Sequence, residues 1–163
     1  MTALHALMLI AALVSASEEE SVAMVFFRHL AAGEGEAAAE MFAEDALSNV
    51  TPMLNALKDG LRAGDPGFIE RLERCGYAAG PQEMLEWNER EYLARTLSLP
   101  MVAMRYSRFD SAYVCSTEVS GGEASVFLCL QVGESVAART PVSLARVRGS
   151  WRVTDFMGIY SFP

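Results

Sequence analysis

The stretch SLARVRGSWRVTDF, Ser143–Phe156, decides the fold. Leu144, Trp151 and Val153 alternate with polar neighbours, and Gly149-Ser150 interrupts the alternation with a turn pair, so the segment reads as a β-hairpin. A Gly-first pair suits a type II′ turn. That turn sets Arg148 opposite Trp151, Arg146 opposite Val153 and Leu144 opposite Asp155. Arg148 then lies over the Trp151 ring as a cation–π contact, and Arg146 and Asp155 become diagonal neighbours able to pair.

Working back from the hairpin, the period stays at two as far as Pro100. Met101–Ser107, Ser111–Val119 and Ala124–Val132 read as strands, with Ser120-Gly121-Gly122-Glu123 turning between the last two. In the third of these, Ala124, Val126, Leu128, Leu130 and Val132 share an unbroken apolar face, while Ser125, Phe127, Cys129 and Gln131 share a mixed one. Such a strand belongs in the middle of a sheet.

Before Pro100 the pattern is helical. Ser17 and Glu20 form a capping box that opens a helix carrying Val22, Val25, Phe26, Phe27 and Leu30, ended by Gly33. A second helix is expected over 36–47. Thr51-Pro52 and Asp65-Pro66 are two further start signals, and their helices run to Gly64 and Gly76. Pro81 starts a fifth, expected to continue to Leu97 with Glu86–Arg90 and Glu91–Arg95 pairs toward water. Helices first and strands afterwards define an α+β domain, with helices packed on one face of an antiparallel sheet. With 163 residues, 52% of them hydrophobic, the chain supports one domain with a sizeable core.

Residues 3–16 (ALHALMLIAALVSA) carry no charged side chain before Ser17-Glu18-Glu19-Glu20. The run is shorter than the ~20 apolar residues a spanning helix needs. It matches the apolar region of a secretory signal, with Val14-Ser15-Ala16 as the small-residue cleavage site. The expectation is a signal peptide over 1–16, an exported (periplasmic or secreted) protein, and a single domain over 17–163. A buried first helix and a short retained anchor are the alternatives.

The formal net charge is −8. Glutamates and Asp45 crowd residues 17–50 against Arg28 alone, a distribution that repels phosphate backbones and excludes nucleic acid as the expected partner. Cys75, Cys115 and Cys129 match no zinc spacing, and neither a metal nor a cofactor is expected. Cys115 and Cys129 meet across two strands only if the turn between them allows it. A three-residue turn opposes them directly, whereas a two- or four-residue turn puts Cys115 opposite Leu128. The pair is therefore expected to be close without being necessarily bonded, and Cys75 is expected to be free.

The double Phe of the first helix, the following Gly33-Glu-Gly-Glu-Ala37 and Phe42-Ala-Glu-Asp45 resemble the opening of the nuclear transport factor 2-like superfamily. Val147–Phe156 is similar to that superfamily's last two strands. The resemblance implies a cone-like α+β barrel whose curved sheet encloses an apolar pocket, often in a dimer. The superfamily spans isomerases, dehydratases, epoxide hydrolases and non-catalytic domains, so fold does not carry function. Dehydratase-type chemistry uses two histidines, and beyond the leader only His29 remains. Tyr106, Tyr113, Asp110 and Asp155 supply the residue types of an isomerase-like site, and Arg146 with Asp155 two members of an epoxide-hydrolase-like set. An ordinary cross-strand ion pair is the simpler reading of the latter.

The reading that follows is an exported, non-enzymatic domain binding a small apolar molecule or a protein partner, with Tyr113, Phe127, Arg146 and Asp155 as ligand-binding candidates. A second copy of the chain is a candidate partner. The alternatives are a pocket enzyme using carboxylate and tyrosine, and the periplasmic domain of a membrane-tethered assembly.

Overall fold

The computed structural model describes residues 16–156; the proposed leader falls outside them except for Ala16. Among these residues seven α-helices precede four strands, and the strands form one antiparallel sheet in the order β1-β2-β3-β4. The architecture is thus α+β, with the helices against one sheet face.

Helix α1 (Glu18–Ala32) begins at Ser17, whose N–H donates to Glu20 Oε2 at 3.3 Å. The other carboxylate oxygen of Glu20 accepts from Thr117 at 2.8 Å, so one side chain both starts the helix and ties it to the sheet. Ala23, Phe26, Phe27 and Leu30 face the core at helical spacing. Gly33, with φ of 75°, supplies the left-handed residue that ends the helix.

The helix expected over 36–47 is divided. Helix α2 covers Gly35–Glu40, and a 3₁₀ turn covers Glu44–Val50. Between them Met41–Ala43 leaves the helix and bonds β4 on both sides of Val153: Val153 N–H to Met41 O at 2.9 Å, and Ala43 N–H to Val153 O at 2.8 Å. Satisfying the open edge of β4 is what breaks the helix. Helix α3 (Thr51–Ala63) and α4 (Pro66–Cys75) follow their expected start and stop signals, with Asp65 Oδ1 accepting from Gly67 N–H at 2.9 Å.

The fifth helix is also two: α5 (Pro81–Glu86) and α6 (Glu89–Leu97). Asn88 caps α6, accepting from Glu91 N–H and donating its own N–H to the Glu91 carboxylate, both at 2.9 Å. This box occupies Glu91. Arg95 instead faces Glu83 at 3.6 Å, and Arg90 reaches Glu44 at 2.6 Å and Ala39 O at 2.8 Å.

Residues 101–107, expected as a strand, lie in helix α7 (Pro100–Ser107). Pro100 suits the first helical turn. Val102 and Tyr106, four apart, are buried, whereas Met104 between them is 71% exposed. The alternation was an accident of two residues that also fit one helix face.

Strands β1 (Ser111–Ser120) and β2 (Glu123–Val132) turn at Gly121-Gly122. Strand β3 runs from Ser135 to Val147, eight residues earlier than the sequence pattern begins, and β4 covers Ser150–Phe156. The inner face of β2 is buried at Ala124, Val126, Leu128 and Leu130, while Val132 at its end is half exposed.

The last hairpin turns at Arg148-Gly149, not Gly149-Ser150. Both residues have positive φ, 50° and 87°, as a type I′ turn requires. Arg146 therefore opposes Trp151, and Leu144 opposes Val153. Arg146, not Arg148, lies over the buried Trp151 ring, 5.7 Å from its centre. Thr154 is an extra residue, since Leu144 pairs with Val153 while Ser143 pairs with Asp155. This bulge moves Asp155 to the outer face and returns Phe156 to the core, where it is fully buried.

Candidate functional site

Beneath the sheet the core is filled by aromatic rings. Phe26 meets Phe42 at 5.6 Å and Phe156 at 5.2 Å between ring centres, and Tyr106 meets Phe156 at 5.4 Å. The edge-to-face geometry of the first two pairs is the favoured one.

A cavity of about 230 Å³ lies instead within the helical layer. Helix α3 contributes Met53, Ala56 and Leu57, helix α4 Phe68, Leu72 and Cys75, and Leu99 and Met101 complete the apolar wall. Among the described residues no carboxylate lines it. Tyr77, Tyr92 and Thr96 supply the polar atoms, with Tyr77 Oη and Thr96 Oγ1 at 2.8 Å. Burial pushes the Tyr77 phenol far above the ordinary tyrosine value, and pushes Tyr92 up as well. Both therefore stay neutral and act as hydrogen-bonding hydroxyls.

Helix α4 differs from the other long helices. None of its residues is fully buried. Phe68, Ile69 and Leu72 pack only partly against the core. It is bracketed by Gly64 and Gly76, with φ of 66° and 100°. A Cβ on Gly60 would lie within 2.5 Å of the Phe68 ring, so a glycine in α3 is what lets α4 seat so closely.

A second, charged cleft of about 890 Å³ lies between the α2 end and the β3–β4 turn. Arg90, Arg148 and Arg152 line it together with Glu40, Glu44 and Asp45. Two of the arginines are engaged, Arg90 with Glu44 and Arg152 with Glu40 O.

None of the four candidates from sequence lines either cavity. Tyr113, Phe127 and Asp155 lie on the outer sheet face. Phe127 is covered by Arg139, whose guanidinium sits 4.6 Å from the ring centre and donates to Ser116 at 2.7 Å. Arg146 does not pair with Asp155. The Thr154 bulge puts Asp155 on the opposite face, where its carboxylate accepts from Phe156 N–H at 2.7 Å, and Arg146 faces Glu18 at 3.8 Å. His29 has a carboxylate beside it, Glu34 at 2.6 Å, at the exposed end of α1.

Cys115 and Cys129 form a disulfide, with Cα atoms 5.7 Å apart, and Cys75 is free and exposed. The turn has two residues, which alone would place Cys115 opposite Leu128. A bulge at Cys115 changes this: Val114 pairs with Leu128 and Ser116 with Phe127. The unpaired residue swings across to Cys129.

Sequence reasoning passed over Tyr77 and the cavity. Its walls come from α3, α4, α6 and the start of α7, and the only local signal was the amphipathic, glycine-bracketed α4. Among the described residues no group of His, Cys, Asp and Glu is arranged to hold a metal, and no helix is long and apolar enough to cross a membrane. No protein-family model, curated protein or solved structure matches the chain.

Proposed function

We propose that the chain is an exported, non-enzymatic domain that binds a small apolar molecule in the cavity beneath α4. The observation that carries this reading is the lining itself. Its wall of Met, Leu and Phe side chains has a single hydroxyl cluster and no carboxylate, so it offers burial and orientation without an acid or base. A cavity of about 150 Å³ already accepts benzene, so 230 Å³ suits a somewhat larger apolar body. Methionines at two positions of the wall add adaptable contact. Export is supported by the charge-free leader pattern, and a disulfide is compatible with an oxidising compartment. The cavity lies among helices and not within a sheet-enclosed cone, so the reading rests on the cavity and owes nothing to the superfamily resemblance.

Octanol titrated into the protein, followed by NMR of the methionine and leucine methyl groups, tests the proposal. Shifts are expected at Met53, Leu57, Leu72 and Met101. Ala56 is exposed at the cavity's edge, so Ala56→Trp should abolish them with the circular dichroism spectrum unchanged. Absent or scattered shifts, or full binding by Ala56→Trp, would overturn it.

A further inference from the structure

The apolar cavity continues into a shallower groove of about 440 Å³, and Cys75 and Met101 line both. The groove's other walls are Pro100, Gly76, Met104, Arg71 and Arg74. Of the charged side chains carried by α4, only the two arginines reach this groove; Glu70 and Glu73 do not line it. The Arg71 guanidinium stands 5.6 Å from the centre of the Phe68 ring, which itself forms part of the cavity wall. The cation is therefore at the rim.

Both guanidiniums are only loosely engaged. Arg71 is 3.9 Å from Asp65 and Arg74 is 3.5 Å from Glu70, and all four side chains are well exposed. Contacts of that length and exposure hold little energy against a competing anion. At the closed end the chemistry is opposite: Tyr77, Tyr92 and Thr96 offer neutral hydroxyls and, among the described residues, no cation lines the cavity. An ionised group taken there would be desolvated without a counter-charge, which is costly. A ligand that carried a charge would bury its apolar end and leave the charge at the mouth.

Resting on the proposed binding function, we infer that the ligand is an amphiphile: a short apolar body in the cavity beneath α4 and one anionic group held at the rim by Arg71 and Arg74. Such a ligand satisfies both surfaces at once. The apolar part replaces water on the Met, Leu and Phe wall, and the anion adds a partner to guanidiniums whose planar donor sets match a carboxylate in geometry.

The test compares octanoate with octanol by isothermal titration, at low and high salt. Octanoate should bind the wild-type protein about fivefold more tightly, the range of one favourable exposed charge pair, and 1 M salt should remove most of that preference by screening. Arg71→Gln with Arg74→Gln should reduce octanoate to the affinity of octanol and leave octanol binding unchanged, which also shows that the variant is folded. Equal affinities in the wild type, or a preference that survives the double substitution, would overturn the anionic-head inference while leaving the apolar cavity reading intact. Failure of both molecules to bind would overturn the two together.

Discussion

Replacing Cys115 and Cys129 by alanine, in a Cys75→Ser background that prevents exchange, removes the covalent link between β1 and β2. The two cysteines are 14 residues apart in sequence. Closing a loop of about 15 residues in the unfolded chain is worth about 3 kcal/mol at 25 °C in the chain-entropy account. Losing the side chains themselves adds little, because Cys115 is exposed and only Cys129 is buried. With a urea slope of about 1–3 kcal/mol/M, the unfolding midpoint should fall by about 1–3 M. The slope should rise somewhat, since the unfolded chain freed of the link is less compact and exposes more surface. Reducing the intact protein should reproduce the shift. Amide exchange should also accelerate along β1, an edge strand with no other covalent tie. A midpoint that moved by less than about 0.3 M, a loss below about 1 kcal/mol at such slopes, would refute the assignment of the disulfide as a clamp on that edge.

Arg148 holds a left-handed φ of 50° in the last turn, where Asn is far better suited. Arg148→Asn should therefore raise stability by about 0.5–1 kcal/mol, and a lowered thermal midpoint would contradict the type I′ turn. Burial raises the pKa of Tyr77, Tyr92 and Tyr106. With folded values above the unfolded value of about 10, their contribution is complete below pH 10 and is lost as pH climbs past it. Phenolate absorbance should thus show a group of tyrosines ionising only as circular dichroism collapses; if all ionise with the fold intact, the hydroxyl cluster is not buried as described.

Much of the fold was legible because its signals are local. Ser17 and Glu20, Asp65-Pro66, Gly64 and Gly76 each mark a helix end through their own backbone chemistry, and β2 announces its inner face by strict alternation. What failed was non-local. The helix over 36–47 breaks because Val153, more than a hundred residues away, needs hydrogen-bond partners from Met41 and Ala43. The hairpin register escaped for a different reason. The expected and observed pairings differ by two residues, so both keep Leu144, Trp151 and Val153 on one face, and hydrophobic pattern cannot choose between them. Turn chemistry had to decide, and an arginine in a left-handed position is a weak signal.

The site was less legible than the fold, and the packing explains why. A sheet-based site needs an open space between β2, β3 and α1. Phe26, Phe42, Tyr106 and Phe156 occupy it, and two of those four rings arrive by events invisible in local sequence. Phe42 is delivered by the broken helix. Phe156 is delivered by the extra residue at Thr154, without which Asp155 would point inward and the ring outward. The ion pair expected there is already undone by the two-residue shift in register, which sets Arg146 opposite Trp151, and the same bulge then turns Asp155 to the other face. With that side closed, the apolar cavity lies under α4 instead. There the small residue Gly60 admits Phe68, and a helix without fully buried residues covers the hydroxyls of Tyr77 and Thr96. Filling one layer of the core is what leaves the other layer to receive a ligand.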